Sequence, residues 1–216
     1  MGPMQDIGFK TNDSSWTRLA DEQTLENTRA ALEKRGIHTE VAGTKAEALE
    51  RLTALVPSGA EVMTGSSTTL DEIGFTEKLK LEQHEWKNLK AGILSEKDPG
   101  KQMDLRRRAT FSEYYVGSAQ AVTEEGEVVV ASASGSQLAA YAFGAKNIVW
   151  VVGTQKVVKG TDEALRRVRE HCLPLEIERM KGLGYPGSMI GKILLFERSS
   201  PMQKANLIFV NEPLGF

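Results

Sequence analysis

Residues 61–74, EVMTGSSTTLDEIG, join an apolar stretch, a turn of small hydroxyl residues and a helical start in one continuous run. Glu61-Val62-Met63 predicts the end of a β-strand, and residues 70–73 predict the start of a helix. Because the first N–H groups of a helix lack partners and the helix dipole favours negative charge there, the turn between them suits an anion. The same residues also suit a plain helix cap, and local chemistry leaves both alternatives open.

The segments around this stretch alternate between helix and strand. Upstream, the patterns predict a helix over residues 16–35, a strand over 37–41, and a helix that begins at a capping box in residues 44–47. Downstream, residues 148–152, IVWVV, are apolar without alternation, which is typical of a strand buried on both faces of a parallel sheet. This succession predicts an α/β fold.

The second half of the chain adds further predicted elements. Residues 123–130 predict a hairpin, and a helix is predicted from Thr161 to Pro174, with Cys172 facing inward. Two apolar runs, residues 193–196 and 207–210, are predicted to pair as terminal strands.

The composition is that of a globular protein without a strong electrostatic field. Of its 216 residues, 40% are hydrophobic and 26% are charged, and the formal net charge is −2. This balance argues against nucleic acid and an anionic membrane as partners. No run reaches the roughly 18 apolar residues of a membrane span, and the polar N-terminus lacks the apolar core of a signal peptide. We therefore expect a cytoplasmic protein, with a flexible lead at residues 1–15 and a single α/β domain at residues 16–216.

The cysteine and histidine content gives no support for a metal or a cofactor. The single cysteine, Cys172, excludes an internal disulfide framework and a cysteine-only metal cluster. The three histidines are scattered without metal-ligand spacing. No P-loop and no G-x-G-x-x-G fingerprint is present, so ATP and NAD have no direct support.

Three polar turns follow predicted strands or open predicted helices, at residues 65–69, 118–126 and 133–137. In open α/β sheets such loops gather at the carboxyl edge, where ligands bind. We therefore expect an anionic ligand at these turns. The arginine triplet at residues 106–108 is assigned instead to a solvated helix face. The candidate anion-binding residues in these turns are Gly65, Ser66, Ser67, Thr68, Thr69, Ser118, Ser134, Gly135 and Ser136.

Several motifs together resemble the LUD-domain (lactate utilisation, DUF162) family. Residues 65–74, GSSTTLDEIG, resemble its G-S-S-T-T-L-x-E-I/L-G element, and residues 118–127, SAQAVTEEGE, resemble S-x-N-A-I/L-T-E-D-G-E. Residues 143–146 resemble F-G-P-K, residues 153–158 resemble G-x-N-K-I-V, and residues 164–174 follow an A-x-x-R-V/I-R-x-x-x-x-P helix.

This resemblance implies a fold like that of sugar-phosphate isomerases and CoA-transferases, a Rossmann-like open, mostly parallel sheet with helices on both faces. In that superfamily the hydroxyl-rich turn binds a phosphate or carboxylate, and by position Glu124 is the nearest equivalent of the acyl-accepting glutamate of CoA-transferases. The chain departs from the family pattern at Gln120, Gln137, Ala145 and Gln155, and the loss of an arginine at Gln137 removes a bidentate anion partner. The cysteine cluster that many relatives carry near the C-terminus is also missing.

Three functions remain open at this stage. The first is an accessory protein of lactate oxidation to pyruvate that binds a small anion or docks to separate iron–sulfur and oxidoreductase subunits. The second is a stand-alone enzyme on a small phosphorylated or acyl/CoA substrate, with Glu124 as nucleophile or general base and Lys156 neutralising charge. The third is a non-catalytic ligand-binding or assembly protein. The first is preferred, and homo-oligomerisation is left open.

Overall fold

The computed structural model describes residues 14–216, so all but two residues of the predicted flexible lead at 1–15 lie outside the described residues. Its strands are β1 (Ile37–Ala42), β2 (Glu61–Thr64), β3 (Lys87–Asn88), β4 (Tyr114–Gly117), β5 (Ala121–Thr123), β6 (Val128–Ser132), β7 (Asn147–Gly153), β8 (Val157–Val158), β9 (Lys192–Phe196) and β10 (Lys204–Val210). Its α-helices are α1 (Glu22–Lys34), α2 (Lys45–Leu55), α3 (Thr68–Glu72), α4 (Phe75–Lys80), α5 (Leu89–Ser95), α6 (Pro99–Arg108), α7 (Ser136–Ala139), α8 (Thr161–Arg167) and α9 (Leu173–Gly182).

Six strands form an all-parallel sheet in the order β1-β10-β7-β4-β2-β3. The apolar run of residues 148–152 lies in β7, between β10 and β4, and each of its residues is fully buried. Val149 and Val151 pack in the core that contains α2, α3 and α4, whereas Ile148, Trp150 and Val152 pack in the core that contains α1. The predicted Rossmann-like parallel sheet is therefore confirmed, and burial on both faces explains why the run lacks alternation.

A second, four-stranded sheet has the order β8-β5-β6-β9. The predicted hairpin of residues 123–130 is confirmed as the antiparallel pair β5–β6. One face of β6 packs with the main sheet through Val128 and Val130, and Val129 packs on the other side with Trp16 and α8.

The predicted pairing of the two C-terminal strands is wrong. β9 pairs antiparallel with β6 in the small sheet, whereas β10 lies parallel between β1 and β7 in the main sheet. The two strands also differ in solvent exposure. β10 is largely buried, whereas Leu195 of β9 is 37% exposed. Adjacency in the sequence therefore did not determine the pairing.

The helix starts show which local signals determine the element boundaries. In α2 half of the predicted capping box is present: Thr44 Oγ1 accepts a hydrogen bond from Glu47 N at 3.2 Å, whereas Glu47 Oε2 accepts from Gly43 N, one residue before the cap, at 2.7 Å. The first helix begins at Glu22, later than predicted, because Asp21 caps it by accepting from Thr24 N at 2.8 Å. Trp16 lies in a separate 3₁₀ turn and is buried.

The helix predicted to end at Pro174 continues beyond it. A π-helical turn at Val168–Cys172 joins α8 to α9, and α9 extends to Gly182. Pro174 occupies the first turn of α9, and the widened π turn before it accommodates the proline ring. Within residues 14–216, no helix is both long and apolar enough to span a bilayer.

Candidate functional site

A cavity of about 660 Å³ opens at the carboxyl edge of the main sheet, where β2 ends at Thr64 and β4 ends at Gly117. Residues 64–69 line it from the sheet edge, α5 and α6 contribute a second part of the wall, and α9 with residues 183–190 contributes a third. This is the position at which open α/β sheets bind ligands. We refer to it below as the edge cavity.

Of the predicted anion-binding residues in the turns and Lys156, all except Gly135 line the edge cavity. Gly135 stands beside them, with its N–H donated to Ser132 Oγ at 3.0 Å. Ser67 caps α3, because its Oγ accepts from Leu70 N at 3.3 Å, so the cap expected of this turn is present as well. α3 has only five residues, and in its first turn the hydroxyl group of Thr69 contacts a cation, Lys156.

Lys156 is the central charged residue of the edge cavity. Its side chain is 1% exposed, and its Nζ donates to Thr69 Oγ1 at 3.0 Å and to Ser118 Oγ at 3.3 Å. Within residues 14–216 it forms no ion pair with a carboxylate. Burial, with the charge of Arg167 as a second cause, lowers the pKa of Lys156 to about 7. The amine therefore exchanges its proton near neutral pH, although the charge of Glu72, which is not ion-paired with it, acts to raise the pKa.

Three further basic residues, outside the predicted anion-binding set, line the edge cavity: Lys90, Arg106 and Arg179. Lys90 Nζ donates to Gly65 O at 2.9 Å, and burial lowers the pKa of Lys90. Arg106 is exposed, as the sequence predicted, and it also lines the edge cavity; within the described part of the chain it forms no ion pair. Only the tertiary position of α6 distinguishes it from its two neighbouring arginines.

The charge of the edge cavity is opposite in sign to that of the whole chain. Four basic side chains line it against one acidic side chain, that of Glu176, while the formal charge of the sequence is −2. Glu176 is already paired, since both its oxygens accept from Arg179, at 2.7 and 2.8 Å. The remaining cations, Lys90, Arg106 and Lys156, are available to a bound anion.

Glu124, the predicted catalytic residue, does not line the edge cavity. It lies in the β5–β6 turn, where its backbone N–H donates to Val158 O at 2.8 Å. The buried carboxylate of this turn belongs to Glu127, which accepts from Thr123 Oγ1 at 2.5 Å and pairs with Arg35 at 3.2 Å. The structure thus separates Glu124 from the hydroxyl and lysine residues with which it was grouped.

Three of the positions where the chain departs from the family pattern are glutamines with structural contacts. Gln137 lines the edge cavity beside Gly65 and donates to Ala131 O at 3.2 Å. Gln120 Oε1 accepts from Ala131 N at 2.8 Å, and Gln155 Nε2 donates to Leu214 O at 2.9 Å. None of them replaces the charge of an arginine, so the cations of the site come from other elements.

The residues after β10 cover one side of the hydroxyl-rich turn at residues 65–69. Thr69 Oγ1, which accepts from Lys156, also donates to Leu214 O at 3.4 Å, and Gly215 N donates to Glu72 Oε2 at 2.9 Å. Gly215 has φ +56°, and a Cβ there would lie 2.3 Å from Thr69 Oγ1. Phe216 lines the cavity next to this contact.

A second buried basic group lies behind the cavity. Arg167 is fully buried and donates to Gln120 O, to Cys172 Sγ at 3.1 Å and to Trp16 O at 3.4 Å.

Cys172 is confirmed as a core residue, and burial raises the pKa of its thiol. Burial, with the charges of Arg167 and Lys156 as further causes, lowers the pKa of His171 to about 4, so its imidazole is neutral at pH 7. In residues 14–216, no group of three or more His, Cys, Asp or Glu side chains could hold a metal ion.

The fold and the site together define an α/β protein with a basic, hydroxyl-lined cavity at the carboxyl edge of a parallel sheet. The chain belongs to the LUD domain family, whose profile matches residues 25–209. Among solved structures, it is similar to a DUF162 family protein from Deinococcus radiodurans, with a TM-score of 0.52 and 10% sequence identity over 90% of this chain and 100% of that one. That likeness shows the shared fold. No match was found among curated proteins.

Proposed function

We propose that this protein binds a small organic anion in the edge cavity and serves lactate utilisation as an accessory component. The observation that carries the proposal is the buried amine of Lys156, held by two hydroxyl groups without a carboxylate partner. A buried cation is costly unless it is paired, and an anion in the cavity would supply the missing partner. Lys90 and Arg106 support the same ligand class.

The role in lactate utilisation rests on membership of the LUD domain family. This chain carries a single cysteine, buried in the core, so we assign electron transfer to separate iron–sulfur and oxidoreductase subunits. In a cell that contains this protein, its deletion is expected to abolish growth on lactate while growth on pyruvate is retained. Wild-type protein should restore growth and the Lys156→Met variant should not. Unimpaired growth of the deletion strain on lactate would contradict this role.

Binding is tested directly by calorimetry and thermal shift with lactate, pyruvate and inorganic phosphate. A ligand at about a hundred times its dissociation constant stabilises by about 2.7 kcal/mol, which in a chain of this size raises Tm by roughly 5–10 °C. We expect Lys156→Met to weaken binding at least about tenfold, because a hydrogen bond to a charged group contributes about 1.5–3 kcal/mol. Pyruvate affinity of the wild type should fall above about pH 7, as Lys156 loses its proton.

Lys159→Met is the matched control for this experiment, because Lys159 is an exposed lysine that does not line the edge cavity. It should leave affinity and its pH dependence unchanged. If a folded Lys156→Met variant binds with unchanged affinity, Lys156 is not part of the binding site.

The second candidate is a stand-alone enzyme on a phosphorylated or acyl substrate. The pKa of Lys156, about 7, favours it, because a general acid or base works best when its pKa lies near the operating pH. Turnover of sugar phosphates or acyl-CoA esters, followed by mass spectrometry of the products, tests it. Turnover lost in Lys156→Met and retained in Glu124→Gln would assign the proton transfer to the lysine.

A further inference from the structure

The wall of the edge cavity formed by α9 and the residues after it is apolar and poorly covered. α9 contains no fully buried residue, although Leu173 and Met180 line the cavity from it. Beyond α9, Leu183 is 60% exposed, Tyr185 58% and Met189 52%. Exposed apolar side chains that line a cavity are typical of a ligand contact.

This wall also presents no net charge to the cavity. Two of its charged residues, Glu176 and Arg179, line the cavity, and they neutralise each other in a two-bond ion pair. The uncompensated cations are on other elements, with Lys90 on α5, Arg106 on α6 and Lys156 after β7. The edge cavity is therefore divided into a basic, hydroxyl-rich part and an apolar part that are continuous with each other.

The size of the edge cavity exceeds what a three-carbon acid requires. Its 660 Å³ lies within the range of about 300–1,000 Å³ that holds drug-sized ligands. A bare small anion at Lys156 would leave the side chains of Leu183 and Met189 in contact with water, whereas a longer ligand would cover them and gain hydrophobic free energy.

We propose that the ligand of this site is an amphiphilic anion. Its carboxylate or phosphate head pairs with Lys156, Lys90 and Arg106, and its apolar body lies against Met180, Leu183 and Met189. This inference rests on the proposed anion binding, and it adds an apolar body as a requirement for high affinity.

The test is calorimetry with two homologous series below their micelle concentrations: ethyl, butyl, hexyl and octyl phosphate, and the carboxylates of the same chain lengths. Affinity should rise by up to about fourfold per added methylene, the value of a fully buried CH₂. The series with the higher affinity at equal length identifies the head group. In Leu183→Ser/Met189→Ser this rise should be largely lost, while ethyl phosphate or propionate binds as in the wild type.

Leu81→Ser/Met202→Ser is the matched control, since both residues are exposed and neither lines the edge cavity. It should retain the chain-length dependence of the wild type. If short anions bind and longer alkyl chains add no affinity, the proposal of an amphiphilic ligand is overturned while the proposal of anion binding stands. Failure of every probe to bind would overturn the proposed function itself. Sedimentation that shows dimers broken by Leu183→Ser/Met189→Ser would instead assign this face to a second copy of the chain.

Discussion

At the scale of single residues, the protonation of Lys156 couples the edge cavity to the stability of the fold. The amine is buried among hydroxyl groups, and its pKa falls from an ordinary 10.5 to about 7. The charged form is therefore disfavoured in the folded state, which makes this position costly when the cavity lacks an anion. A residue that is kept at such a cost is a candidate for function.

The stability of the Lys156→Met variant should depend on pH differently from that of the wild type. Between about pH 7 and pH 10.5, the unfolded chain holds a proton at Lys156 that the folded chain has lost. The free energy of unfolding of the wild type therefore rises with pH across this window, by about 1.4 kcal/mol per pH unit from this residue. Stability of the variant relative to the wild type should be highest near pH 7 and decline toward pH 10.

Urea unfolding at several pH values across this window measures that difference. The Lys159→Met variant provides the control, because an exposed lysine should give a difference that is constant with pH. Parallel curves for wild type and Lys156→Met would contradict a lowered pKa of Lys156.

At the scale of elements, the turn between β5 and β6 is held against α1 by polar contacts. Arg35 donates to Glu125 O at 2.7 Å and pairs with Glu127, whose other oxygen accepts from Thr123. Gly126 makes this contact close, because it has φ +89° and a Cβ there would lie 2.8 Å from the backbone C of Ala31. The glutamates of this turn thus fix the hairpin to a helix.

Gly126→Ala should lower the free energy of unfolding by about 2–4 kcal/mol, because it combines left-handed strain with a clash against helix backbone. Gly59→Ala is the matched control, since Gly59 has φ +76° and its added Cβ would meet nothing within 4 Å. That substitution should cost only the strain, about 1–2 kcal/mol. Equal losses in both variants, measured by urea unfolding, would show that the hairpin does not pack tightly on α1.

At the scale of the whole molecule, one core joins the two sheets. Trp150 of the main sheet is fully buried and packs against Tyr141 and against Phe196 of the small sheet, with ring centroids 5.3 and 5.1 Å apart. Val128 and Val130 of the small sheet belong to the same apolar cluster. We therefore expect both sheets to unfold together.

Phe196→Ala should lower the free energy of unfolding by about 3–5 kcal/mol, because it leaves a cavity in the shared core. Circular dichroism and tryptophan fluorescence should still report one coincident transition. Phe143→Ala is the control, since Phe143 is 73% exposed and its loss should change stability by no more than about 0.5 kcal/mol. Two separate transitions in the Phe196→Ala variant would show that the sheets have independent cores.

Local signals in the sequence determined the fold class and the location of the edge cavity. The strand–turn–helix of residues 61–74, the apolar run of β7 and the small-residue turns depend on near neighbours in the chain, so their patterns were sufficient to predict a parallel sheet with polar turns at its edge. Lys156 was identified in the same way, from a motif rather than from its burial.

Only the tertiary structure decided which distant groups meet. It buried Lys156 between Thr69 and Ser118, brought Arg106 to the cavity and kept Glu124 away from it. It also placed β9 and β10 in different sheets and left the α9 wall of the cavity uncovered. Each of these outcomes depends on packing between segments far apart in the chain, and the pattern within one segment does not specify its distant partner.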